Sequence, residues 1–322
     1  MNDTTDLSEL IYIAAMILLV SMLLLLARVL YAKLSRFDVD HELSESDNPA
    51  VGTSLFGFMS AVVIVLAALI ATDNHRASDT PVALAWDLGE VAIYGLVSIF
   101  LLRFSGWIND RLILHRFENK KELVEDRNVG AGAVLCGTYI ATGLMLAGAL
   151  SGRVSPALLP EKAERWEVMA YELGISLAFF VLGQLVLILY AQVYQRLFKK
   201  NPLDAIAEDY EVDGRKHGGN AAAGIAMGGN MVAVGVVLWG GTRGDFIGWQ
   251  QNLLAFAVVS GIGLGMLPLW RVFVDRVLMG KANLVDEIYR DRNTNAAFLE
   301  SVTLVGVAVV VALMVRPTFP AA

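Results

Sequence analysis

Cysteine is almost missing from this chain: Cys136 stands alone, inside an apolar run. One thiol cannot close an intrachain disulfide, and no Cys/His zinc spacing exists. Histidine is nearly as thin, with His41, His75, His115 and His217 in four separate hydrophilic connections. Charged residues make up 18% of the chain and come in short blocks. No Lys or Arg precedes the first apolar run, where Asp3, Asp6 and Glu9 stand instead. A secretory signal peptide has a basic start and a short apolar stretch, so this run reads as a true first span. A net charge of −7 and a pI near 5.2 argue against a nucleic-acid partner, which favours a basic face. Nucleophile elbow, phosphate loop, kinase signature and His-Glu-x-x-His are all missing. No catalytic, cofactor-binding or metal-ligating set is assigned, and the chain is expected not to be an enzyme. Asp38-Val-Asp-His-Glu42 could hold a divalent cation, although a short acidic run is ordinarily a solvated loop.

What is abundant is apolar length. Hydrophobic residues make up 56% of the chain, and the mean hydropathy is +0.57. A water-soluble domain of this size needs far more polar surface. The charge blocks separate runs of about 20 residues, the length a helix needs to cross about 30 Å of hydrocarbon. Spans are expected at Leu10–Ala32, Val51–Thr72, Leu84–Trp107, Val129–Leu150, Ala170–Val193, Ala221–Gly241, Leu253–Trp270 and Ala296–Val315. The third and fifth are weaker, because Asp87, Glu90 and Glu172 sit in their first turns. The inner ends of odd-numbered spans and the connections that follow them hold 19 of the 25 Lys and Arg. Arg76, Arg153, Lys162, Arg165, Arg243 and Arg316 lie on the other side. The positive-inside rule then puts the odd-to-even connections in the cytoplasm and both termini outside. All six Trp fall at span ends, where an aromatic belt places them.

An internal repeat organises the spans. Even spans open with Asn48, Asn128, Asn220 and Asn293, each placed to cap its helix through the side-chain oxygen. Four residues on come Gly52, Gly132, Gly224 and Ala297; nine residues on come Gly57, Gly137, Gly229 and, breaking the rule, Val302. Small residues of this kind let helices approach closely in lipid. Odd spans pair Glu9 with Lys33, Asp87 with Arg111, Glu172 with Arg196 and Asn252 with Arg276, each 24 residues apart. That is about 36 Å of helix, one bilayer core plus part of its interfaces. Residues 87–128 also align with 252–293 without a gap, at an offset of 165. The expected fold is an all-α, polytopic membrane protein of about eight transmembrane helices, built as four parallel two-helix repeats. Its halves, 1–155 and 156–322, are expected in pseudo-twofold arrangement.

The unit of paired helices, charged connection, Asn and Gly-rich even helix resembles the family catalogued as domain of unknown function 350. Its clearest copy is Asp126-Arg-Asn-Val-Gly-Ala-Gly132 through Ala141-Thr-Gly-Leu-Met-Leu-Ala-Gly148. The resemblance covers nearly the whole chain as a tandem duplication, with Pro49 after the first Asn and the loss of both repeat glycines in the last copy as departures. It implies a bacterial inner-membrane protein of uncharacterised activity, associated with stress-related, band-7-type or polyamine-metabolism proteins. It supplies no catalytic residues.

Polar groups inside spans are the remaining signal, since an ionised one costs about 2.5–3.5 kcal/mol at a helix centre and faces protein or water. Glu300 replaces the Leu55, Leu135 and Met227 of the other repeats. It reads either as a structural ion pair with Arg271 or Arg103, both intramembrane, or as a cation or proton site. With Asn230 these form one candidate polar site. Glu9, Asp87, Glu90 and Glu172 line the outer boundary as interface anchors or as an acidic collar that concentrates cations. Thr138, Tyr139, Thr142 and Gln184 read as interhelical hydrogen-bonding groups or as the lining of a polar path. The cluster Gly261-Ile-Gly-Leu-Gly265 lies within a span and reads as helix packing. Connections such as Asp204–Lys216 allow short amphipathic helices, as solvated linkers or as docking surfaces.

Two functions follow. The first is a small channel or transporter for a cation or polar solute. The alternative is a non-transport scaffold or stress-response protein that docks cytosolic or band-7-type partners. A homo-oligomer suits either, and the bilayer is a partner in both. A solvated path around Glu300 favours the first, and a dry, packed interior favours the second.

Overall fold

The computed structural model describes residues 3–72, 80–116, 118, 120–197, 201–212, 215–280 and 282–315. His75, Arg76, Lys199, Lys200, Lys281 and Arg316 lie outside the described residues. The chain opens with α1 (Asp3–Leu34), α2 (Val39–Ser44), α3 (Pro49–Thr72) and α4 (Pro81–Leu112), then a π-helical turn (Lys121–Glu125) and α5 (Val129–Ala149). It continues with α6 (Arg165–Arg196), α7 (Pro202–Ala207), an antiparallel hairpin of β1 (Tyr210–Val212) and β2 (Arg215–His217), and α8 (Ala221–Thr242). The last elements are α9 (Trp249–Phe273), α10 (Leu284–Tyr289) and α11 (Thr294–Met314).

Eight of these helices are long and apolar enough to cross a membrane. The protein is a polytopic, essentially all-helical membrane protein, the hairpin being a short insertion before the third Asn. Helices α1, α4 and α6 reach 32 residues, well beyond the apolar runs within them. Hydropathy stops at the first charge, but the backbone ladder does not: side chains such as Arg111 and Arg196 extend to the interface from a continuing helix.

The glycine-rich helices stand side by side in chain order, α3 against α5, α5 against α8, α8 against α11. A second layer covers them. Helix α1 packs on α3, α4 on α3 and α5, α6 on α5 and α8, and α9 on α8 and α11. The central pair α5 and α8 is the most buried, and it joins the two halves through the most extensive helix contact in the chain.

The register of the glycines explains the row. A Cβ added at Gly57 would lie 2.3 Å from the Cys136 Cα; at Gly137, 2.2 Å from the Gly228 carbonyl oxygen; at Gly229, 2.1 Å from the Ser301 Oγ. Each ninth-position glycine therefore lies against the next helix of the row. The fourth-position glycines lie against the previous one, Gly132 on Ala50 at 2.5 Å and Gly224 on Gly130 at 2.2 Å. The exceptions stand at the ends. Val302 has no next helix and is 65% exposed, while Gly52 has no previous one and would meet only a Leu43 side chain, at 3.7 Å. Close backbone approach gains dispersion contacts that lipid, as apolar as leucine, does not supply. In the cluster at 261–265, Gly263 packs on Val237, whereas Gly261 and Gly265 face outward with nothing within 4 Å.

A polar ladder ties the basic end of the row. Each of the four Asn caps its helix by accepting from backbone N–H groups one turn in. Its amide nitrogen then reaches the following repeat: Asn48 donates to the Leu123 carbonyl (2.8 Å), Asn128 to Ile206 (2.7 Å) and Asn220 to Ile288 (3.0 Å). Asn48, Asn128 and Asn293 also donate to Glu42, Glu122 and Glu287, six residues earlier. The residue before each Asn has positive φ, at Asp47, Arg127, Gly219 and Arg292, which turns the chain sharply into the helix.

Candidate functional site

Helix α11 turns Ala297, Glu300, Leu304 and Ala308 inward at helical spacing and leaves Phe298, Val302 and Val309 outside. Glu300 is thereby fully buried. The Nε of Arg271, near the end of α9, donates to Glu300 Oε1 at 2.5 Å. Asn230 on α8 approaches the same oxygen at 3.5 Å and gives its better bond, 2.9 Å, to the Ala226 carbonyl. Tyr190 of α6 donates to Asn230 Oδ1 at 3.1 Å. The Arg271 guanidinium sits 6.0 Å from the ring centre of Tyr194, whose hydroxyl is 3.5 Å from that of Tyr289. Glu300 Oε2 has no hydrogen-bond partner among the described residues. The second half thus holds a buried carboxylate neutralised by one guanidinium and fenced by tyrosines.

Chemically, this arrangement fixes α11 to α9 and α8, because removing the guanidinium strands the fully buried carboxylate in low dielectric. Two cavities of the described residues lie away from Glu300. One of about 470 Å³ opens between α1 and α4 at the basic end, and one of about 510 Å³ lies beside Trp239 and Arg243 at the opposite end.

Arg103 is elsewhere, and this corrects the expected four-residue site. It donates to the Tyr139 hydroxyl (3.1 Å) and the Leu34 carbonyl (3.0 Å), with its guanidinium 5.2 Å from the Tyr31 ring centre. Its helix α4 covers α3 and α5, whereas Glu300 belongs to α11 at the far end of the row. Similar depth does not make these two groups neighbours.

The acidic groups of the opposite boundary are divided among separate tasks. Arg165 donates to Asp87 (2.5 Å) and Glu90 (3.4 Å), tying α6 to α4. Glu172 accepts from Tyr94 (2.7 Å) and the Val154 N–H (3.3 Å), and Glu9 is exposed on α1. The acidic run at 38–42 is split likewise. Asp38 caps α2, Asp40 pairs with Arg28, His41 with Glu45, and Glu42 takes the Asn48 amide. Gln184 donates to Thr142 across α6 and α5 at 2.9 Å, while Thr138 bonds within its own helix. At the basic end, burial pushes the Glu122 carboxyl up, and the hydrogen bond from Asn128 opposes that rise.

Three features were not drawn from the sequence: the bridge made by Arg165, the Glu six residues before three of the Asn, and the paired tyrosines Tyr31 and Tyr194. The last two carry a signal, a fixed spacing to the Asn and to the basic ends of α1 and α6.

A family model described as Domain of Unknown Function (DUF350) matches residues 5–150 and, a second time, residues 168–315. A UPF0719 transmembrane protein of Aquifex aeolicus (strain VF5) is 24% identical over 222 residues, covering 67% of this chain and 72% of that protein. No solved structure matches.

Proposed function

The chain belongs to the Domain of Unknown Function (DUF350) family, whose unit it carries twice in tandem, and from the packing of its helices we propose that it is a non-enzymatic, non-conducting membrane scaffold. Its helix row serves as a stiff platform in the bilayer, and its basic end docks a cytosolic or membrane-bound protein. In this reading the membrane is the bacterial inner membrane, with the basic end in the cytoplasm and both termini outside. The observation that carries it is the row itself. Glycine-to-backbone contacts between α3, α5, α8 and α11 leave no room for a lumen between them, and the one fully buried carboxylate among the described residues, Glu300, is paired with Arg271. Four short elements, α2, the π-turn, α7 with its hairpin, and α10, offer the docking surface.

A second reading, permeation of a cation or polar solute, draws on the Glu300 oxygen that lacks a partner among the described residues and on the Tyr190–Asn230 bond beside it. Flux of protons, alkali cations and polyamines through the purified protein in liposomes separates the two. The scaffold reading expects wild type and Glu300→Gln to match protein-free liposomes. Conduction by wild type that a folded Glu300→Gln abolishes would replace it with permeation.

A further inference from the structure

The two halves build the same pair of side chains and finish it differently. Tyr31 and Tyr194 each lie two residues before the basic end of the 24-residue register, at Lys33 and Arg196. Beside each stands a guanidinium from a later covering helix: Arg103 of α4 at 5.2 Å from Tyr31, Arg271 of α9 at 6.0 Å from Tyr194. In the second half Glu300 neutralises the guanidinium. The same repeat position in the first half is Leu135. Among the described residues no carboxylate comes within 4 Å of Arg103, and its Nε is buried without a hydrogen-bond partner.

Arg103 instead borders the cavity of about 470 Å³, with Tyr31, Leu135, Tyr139 and Trp107 along the wall. Arg36, Arg111 and Lys120 add three further positive charges to the lining, against Asp110 and Glu118. The cavity lies at the basic end of the helices, where Arg111 sits 5.1 Å from the Trp107 ring, the level at which aromatic and basic side chains meet headgroups. A guanidinium at this depth is stable when an anion shares its environment. Planar, multidentate donors of this kind suit phosphate oxygens, and basic pockets between membrane helices take anionic headgroups.

We infer that this cavity binds an anionic phosphate group, which does for Arg103 what Glu300 does for Arg271. The phosphate comes either from a phospholipid of the adjoining leaflet, its acyl chains lying along the exposed apolar side of Phe100 and Phe104, or from free inorganic phosphate.

The test uses the full chain in a neutral detergent, with native mass spectrometry and thermal unfolding as readouts. Probes are phosphatidylglycerol, phosphatidylethanolamine and inorganic phosphate. Leu135→Glu keeps Arg103 and adds the carboxylate of the other half, and Arg103→Gln removes the charge. Retention of phosphatidylglycerol over phosphatidylethanolamine by wild type, weakened about tenfold or more in both variants as expected for a lost charge-assisted hydrogen bond, supports a lipid headgroup. Stabilisation by inorganic phosphate alone, lost in the same variants, supports the free anion. Equal binding by wild type and a folded Leu135→Glu overturns the proposal, and so does wild type that takes up neither phosphatidylglycerol nor inorganic phosphate.

Discussion

Glu300 and Arg271 are unequal partners, although they share one bond. Glu300 is fully buried, whereas the Arg271 side chain keeps 19% of its surface exposed and can extend toward the interface. Removing the arginine strands a buried carboxylate; removing the glutamate leaves a guanidinium with a way out. Arg271→Met is therefore expected to lower stability by about 3–5 kcal/mol and Glu300→Leu by distinctly less, with the double variant recovering much of the loss. Thermal or chemical unfolding in detergent, run as a double-mutant cycle, checks the order. A second residue gives a pH dependence. The fold raises the Glu122 carboxyl above its ordinary value through burial, so its charged form is favoured less in the native state than in the unfolded one. Stability is reduced while the pH stays above the raised pKa, and recovers as the pH falls through it. Glu122→Gln should therefore raise Tm at pH 8, with a gain that shrinks toward pH 5. A gain that grows on acidification contradicts this. Glu300 was legible in the sequence as the one carboxyl among Leu55, Leu135 and Met227. Its partner was narrowed to Arg271 or Arg103 and no further, because hydropathy assigns depth and two arginines share that depth.

Elements are joined here by residues that lack side chains. Gly137 and Gly229 hold neighbouring backbones together, whereas Gly261 and Gly265 face outward on α9 and touch nothing within 4 Å. Val at 137 or 229 should separate helices at a cost of about 1–3 kcal/mol. Ala at 261 or 265 should be neutral or stabilise by up to about 1 kcal/mol, because a glycine in an open helix position only adds freedom to the unfolded chain. Losses at 261 and 265 as large as those at 137 and 229, in one unfolding series, would contradict the contact account, since neither lost contact nor helix propensity predicts a loss at the open positions. The eight spans, their caps and the repeat could be read from period and spacing. Helix ends could not, because α4 and α6 run on through charge that hydropathy counts as solvent. The hairpin was missed although Asp213-Gly214 is a turn dipeptide that favours one; the charged periodicity around it pointed to helix.

At the scale of the molecule, the chain behaves as a short one-dimensional array. Each repeat contacts the next through the same glycine positions and the same Asn-to-carbonyl bond, and the exceptions, Val302 and Gly52, stand where neighbours end. The row crosses the expected boundary at 155/156 without a break, since α5 and α8 lie on opposite sides of it. Repetition was visible in the sequence, but its lateral order was not. Which helix lies beside which is set by pairs of small residues far apart in the chain. The central claim is that the interior around Glu300 is dry. Ala297→Cys and Leu304→Cys, each fully buried about one turn from Glu300, in a background lacking Cys136, can be exposed to small membrane-impermeant thiol reagents from either side of sealed vesicles. The account predicts no labelling from either side while the protein remains folded, with a cysteine in an exposed connection as the positive control. Labelling of either position from both sides would establish a water-filled path through the membrane and contradict it.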